Sequence, residues 1–319
     1  MRGNAFLSYF VGLLSLSILF FFIDLKDLNI LFKVSFFNFL IIFFLTVLIY
    51  FFSGVQYYFI RKQFGVSLSV KDILLLPIVG NLWSFIIPFQ GNLMFTTVFF
   101  RKKYNMEISE SFSISIYLYL ITLSFTGFFI LLFSVYQDML FSWLSVISLL
   151  LILNPFFLYL LQIILGKISL EHFVRLNKLY VFLTEVIVST NKLWSNLRFT
   201  MLMFFLDIIK IGLNILWFYW IAISLDFDLS ILTVAIISLI MTISIIIKFT
   251  PDNLGVAQLV TASFIGLIGG NVEATTLITL FASAISIVVM ILIGIPSNIY
   301  YFKVLNLNWS SIKNSSKVK

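Results

Sequence analysis

The chain has 319 residues, of which 61% are hydrophobic and 10% charged, with a net charge of +7; soluble domains carry roughly 25% charged residues. It has no cysteine and one histidine, His172, which excludes disulfides, thiolate metal sites, thiol catalysis and any histidine cluster. Apolar runs of about 20 residues recur from end to end, each long enough to cross ~30 Å of hydrocarbon, so the fold class is all-α: a polytopic helical membrane protein.

The first run, 5–23, follows Arg2 and lacks a small-residue cleavage site, which predicts a retained span rather than a removed signal. Run 34–60 crosses next. Basic residues flank run 73–100 on both sides, with Arg61, Lys62 and Lys71 before it and Arg101, Lys102 and Lys103 after it. Because cytoplasmic loops are enriched in Lys and Arg, both flanks read as cytoplasmic, and 73–100 is not a single crossing. It is too short to cross twice, which leaves a re-entrant hairpin of two half-helices. Pro77, Gly80, Pro88 and Gly91 fall where an unbroken helix would have none. Broken backbone at membrane depth is tolerated only where protein buries it or water reaches it.

Run 112–136 then exits and 139–165 returns. Segment 166–199, carrying Lys167, His172, Arg175, Lys178, Lys192 and Arg198, reads as cytoplasmic and lying along the interface. Run 200–225 exits to Asp226 and Asp228. The stretch 230–270 begins and ends outside, either as two spans joined by a Pro-Asn-Gly turn or as a second hairpin with its tip at 250–255. Run 274–302 returns to a basic tail, 303–319. The expected architecture is one transmembrane domain, 1–302, of about six spans and two re-entrant hairpins, with pseudo-repeats at about 5–136 and 139–302 in inverted topology. Inverted repeats with broken helices near the midplane are a recurring transporter plan. Both termini are expected to be cytoplasmic, in a prokaryotic cytoplasmic membrane.

Two short stretches carry a resemblance: "IPFQGNLMFTTVFFRKKYNM" at 87–106 and "TPDNLGVAQ" at 250–258. The chain resembles the transmembrane module of bacterial lysylphosphatidylglycerol synthetase/flippases and the wider flippase-like family, from about residue 30 to 302. The resemblance implies paired re-entrant elements and cytoplasmic termini. It also marks three departures. Gln90 stands where relatives often carry Arg, and Gln258 where they carry Glu. Phe281, Ala282 and Ser283 occupy the neighbourhood of an arginine often found in the final helix. The synthetase half is not expected in this chain, so aminoacyl transfer to lipid is not its expected activity.

The candidate substrate-binding residues sit at the two tips. Gln90, Asn92, Asn253 and Gln258 offer neutral hydrogen bonds, which serve either a ligand or the broken backbone itself. Lys248 is placed to meet a lipid phosphate, and Asp252 to cap the half-helix that follows. Pro88, Gly91, Pro251 and Gly255 are the backbone breakers. Asp207 and Lys210, three apart on one intramembrane helix, can pair on one face. Asn81, Asn154 and Asn214 read as interhelical glue. No catalytic residue, metal site, cofactor or nucleic-acid partner is expected. The expected function is a lipid flippase or transporter that binds an anionic lipid or lipid-linked head group at the paired hairpins. The alternatives are a non-transporting subunit working with cell-envelope biosynthesis proteins and a membrane-embedded head-group transferase.

Overall fold

The computed structural model describes residues 11–15, 17–18, 27–87, 91–136, 143–166, 174–246 and 250–305. Among them every regular element is helical: α1 (Phe36–Lys62), α2 (Val70–Ile86), α3 (Gly91–Tyr104), α4 (Ile108–Tyr136), α5 (Trp143–Ile152), α6 (Asn154–Gly166), α7 (Val174–Ser195), α8 (Leu197–Ser224), α9 (Ile231–Ile246), α10 (Val256–Leu267), α11 (Val272–Val289) and α12 (Ile295–Val304). Short 3-10 turns cover Asp27–Phe32 and Pro251–Asn253, and a π turn, Met290–Gly294, joins α11 to α12.

Local chemistry sets the helix ends. Ser69 caps α2 by accepting from the Asp72 N–H at 3.2 Å, and Asn271 caps α11 by accepting from the Ala274 N–H at 2.9 Å. Three helices stop in the same Schellman arrangement. In α1 it turns on Gly65 (φ 73°), in α8 on Asp226 (φ 57°) and in α10 on Gly269 (φ 77°).

Among the described residues, four helices are long and apolar enough to cross a membrane: Phe36–Lys62, Ile108–Val135, Leu197–Ser224 and Val272–Val304. A bent pair, α5 with α6, passes the same test of length and apolarity when taken together. The chain is therefore an integral membrane protein. Run 5–23 lies largely outside the described residues. α6 buries no residue, and Phe156, Phe157, Ile163 and Ile164 stand outward, as a lipid-facing surface requires.

One expectation needs correcting, and one span carries a bend. Pro77 and Gly80 do not interrupt α2, which runs unbroken through both. Proline removes the N–H that would bond the Ile73 carbonyl. Gly54 of α1 packs against that carbonyl so closely that a Cβ there would collide with it. Gly80 makes room instead for the Asn92 side chain. Run 139–165 is not one straight span: it bends by 55° at Leu153, between α5 and α6. Pro155 cannot bond the Leu151 carbonyl, and the Asn154 side-chain amide takes that acceptor at 2.6 Å. The same amide reaches the Leu120 carbonyl and Ser124 Oγ on α4, which fixes the bend against its neighbour.

The chain forms two compact units interleaved in sequence: Met1–Val55, Ser69–Phe95 and Ile209–Lys319 in the first, Gln56–Leu68 and Thr96–Ile208 in the second. In the first, α2 packs on the π turn and α12. Trp83 stacks between Phe95 (5.7 Å) and Phe302 (6.0 Å) and donates its indole N–H to Asn298 at 3.0 Å. Tyr301 donates to the buried Asp72 at 3.1 Å. In the second unit α4 packs on α5 and α7. Ser113 donates to the Val186 carbonyl at 3.0 Å, and Tyr117 bonds Thr200 at 3.1 Å between the rings of Trp194 and Phe199.

Candidate functional site: the broken helices of the first unit

The segment between α9 and α10 breaks through two residues in left-handed backbone, Asn253 (φ 59°) and Gly255 (φ 83°). The half-helix begins at Val256, because the chain spends Pro251–Asn253 in a 3-10 turn. Three backbone groups there are met by side chains. Gln258 Oε1 accepts from the Gly255 N–H at 2.7 Å. The Asn253 amide donates to the Ser244 carbonyl at the end of α9. Thr250 donates to the Leu254 carbonyl at 2.9 Å. Asn253 and Gln258 are each 1% exposed. Gly12, in the N-terminal stretch, lies close to Thr250 and the Leu254 carbonyl.

The first break lies between α2 and α3. Gly91 packs against the backbone of Trp83 and Ser84 with no room for a Cβ. The Asn92 N–H donates to Ser84 Oγ at 3.1 Å. These contacts hold the start of α3 side by side with the end of α2. α2 also packs directly on the Pro251–Asn253 turn, so the two broken elements meet within the first unit.

The predicted residues thus separate into groups. Asn92, Asn253 and Gln258 lie at the breaks, with Gly91, Pro251 and Gly255 shaping the backbone. Pro88, Gln90 and Lys248 fall outside the described residues, and Asp252 is described in its backbone alone. Asp207 belongs to the second unit, is fully buried and accepts from Gln56 at 3.1 Å and Thr122 at 3.2 Å. Lys210 lies one turn further along α8, where its carbonyl accepts from Asn214. Asn81 donates to the Tyr50 hydroxyl at 2.7 Å, joining α2 to α1.

Two positions that the resemblance marked independently are in contact: Gln258 Nε2 donates to Ser283 Oγ at 2.6 Å. Three buried polar residues went unremarked as candidates. Gln56 and Asp72 gave no periodic or motif signal, and Arg61 read as an ordinary loop cation because it closes an apolar run.

Residues 7–294 match the family described as Lysylphosphatidylglycerol synthase TM region. The chain belongs to that family. The lysylphosphatidylglycerol synthase TM region is a membrane-domain family, which accords with a role tied to membrane lipid. No curated protein and no solved structure matches the chain.

Proposed function

We propose that the chain is a flippase-type lipid-handling protein that binds an anionic lipid head group where the α2–α3 pair meets the Pro251–Asn253 turn. The observation that carries this reading is the packing of α2 on that turn, which joins two helix breaks in one unit. Length supports placing both breaks within the bilayer. α2, α3, α9 and α10 have 17, 14, 16 and 12 residues. At 1.5 Å per residue each is about 25 Å or shorter, less than the ~30 Å needed to span. Each pair then enters and returns on the same side, and the basic loops favour cytoplasmic termini.

Within this reading the tip residues divide the work. Asn253 and Gln258 brace the backbone, since their polar atoms already serve Ser244, Gly255 and Ser283. Lys248 supplies the positive charge for a phosphate, with Gln90 and Asn92 as neutral donors. The chain has no phosphate-binding glycine loop of the nucleotide-hydrolysing type, so movement follows a gradient, a partner or downhill scrambling.

The neutral Gln258–Ser283 contact favours a second reading, a non-transporting subunit of envelope lipid or glycan assembly. Mass spectrometry of lipids retained on the purified protein, beside a Gln90→Ala/Lys248→Ala variant, separates the two. A specific anionic lipid held by the parent and lost from the variant supports the flippase reading. Only bulk lipid, equal in both, puts the subunit reading first. Scrambling of a labelled anionic lipid in vesicles holding the protein alone then tests transport directly.

A further inference from the structure

Arg61 ends α1 in the second unit and is fully buried. Its guanidinium lies over the Phe100 ring, and Nη1 sits against Met106 Sδ. Nε and Nη2 have no acceptor among the described residues. Glu110 is the carboxylate whose field reaches it. An aromatic face attracts the cation from above, but it leaves the in-plane N–H groups without an acceptor. A buried cation in that state is costly, and a planar guanidinium is shaped to take two oxygens of one oxyanion.

Met106 has a second neighbour. It lines a cleft of about 380 Å³ with Arg101, Glu107, Phe182 and Glu185 among the other walls. Met106 therefore touches both the buried guanidinium and the cleft, and methionine is a flexible, readily rearranged apolar side chain. The cleft sits where span α1 ends and span α4 begins, and the ends of spans adjoin the head-group region of a bilayer. From inside outward the order of charge is a cation, a movable sulfur, then two exposed carboxylates with Arg101 beside them. A simple anion would meet the carboxylates, and a simple cation would leave Arg61 unanswered.

We propose that this cleft is a head-group site for a phosphate ester bearing a free ammonium group, the chemistry of phosphatidylethanolamine. Met106 swings aside, the phosphate meets Arg61 with Arg101 at the mouth, and Glu107 and Glu185 receive the ammonium. The site stands on the second unit alone and does not depend on the hairpin reading.

The test is thermal unfolding of the full chain in detergent titrated with phosphatidylethanolamine, phosphatidylglycerol or phosphatidylcholine. Phosphatidylethanolamine should stabilise most, since phosphatidylglycerol lacks the ammonium and phosphatidylcholine has no N–H to donate. Glu107→Gln/Glu185→Gln, at exposed positions, should bring its apparent affinity down about tenfold, to the phosphatidylglycerol level. Arg61→Met should weaken both phospholipids about tenfold or more. Equal shifts for the three lipids, or an undiminished phosphatidylethanolamine response in the double glutamate variant, overturns the proposal. That variant decides alone if Arg61→Met does not fold. Soluble glycerophosphoethanolamine provides the last arm: a shift equal to the lipid's assigns the same chemistry to a soluble ester, and none assigns it to the lipid.

Discussion

Pro77 and Pro251 sit in similar company, each preceded by an apolar run and followed within four residues by glycine, yet one lies inside a continuous helix and the other in a complete break. At Pro77 the freed Ile73 carbonyl is covered by Gly54 of the neighbouring helix, and no residue of α2 leaves helical backbone. Around Pro251 two residues adopt positive φ, and three side chains close the backbone groups that the break exposes. Proline alone therefore does not break a membrane helix. The break requires left-handed positions together with polar side chains that replace the lost backbone bonds.

That contrast predicts an ordered set of effects on unfolding in detergent. Gly54→Leu should cost the most, more than about 3 kcal/mol, because its side chain must displace the backbone at Ile73. Gln258→Leu strands the buried Gly255 N–H and should cost about 2–3 kcal/mol. Gln258→Glu keeps the acceptor for that N–H and should be milder than Gln258→Leu. If the two are equally damaging, the brace is not the glutamine's role. Gly255→Ala places a Cβ at φ 83° and should cost about 1–3 kcal/mol. The prolines come last: Pro77→Ala and Pro251→Ala should each shift stability by less than about 1 kcal/mol. A large loss at Pro251 would return the break to proline itself.

Hydropathy and charge made the helical class and most of the spans legible, because burial in lipid imposes a length and a polarity that no side-chain detail can hide. Detail inside the spans was less legible. Asn154-Pro155 is a turn signal in its own right, but an apolar run on either side masked it, and the 55° bend depends on an acceptor three residues back and two partners on α4. The contact of Gln258 with Ser283 spans two helices that no local pattern aligns. Arg61 is the sharper case. Its place at the end of an apolar run marks a boundary equally well whether the side chain reaches water or folds under an aromatic ring, and only the packing of Phe100 and Met106 decides.

The π turn at Met290–Gly294 acts on everything beyond it as a phase setting. A π turn holds one residue more than the α-helix it interrupts, so it offsets α12 from α11 by about 100° of rotation. That offset is what turns Asn298, Tyr301 and Phe302 toward Trp83 and Asp72 of α2. Deleting Leu292 would leave composition and hydropathy almost unchanged while swinging all three residues off that helix. The final span would still read as a span, but it would no longer be keyed to the broken element it holds in place.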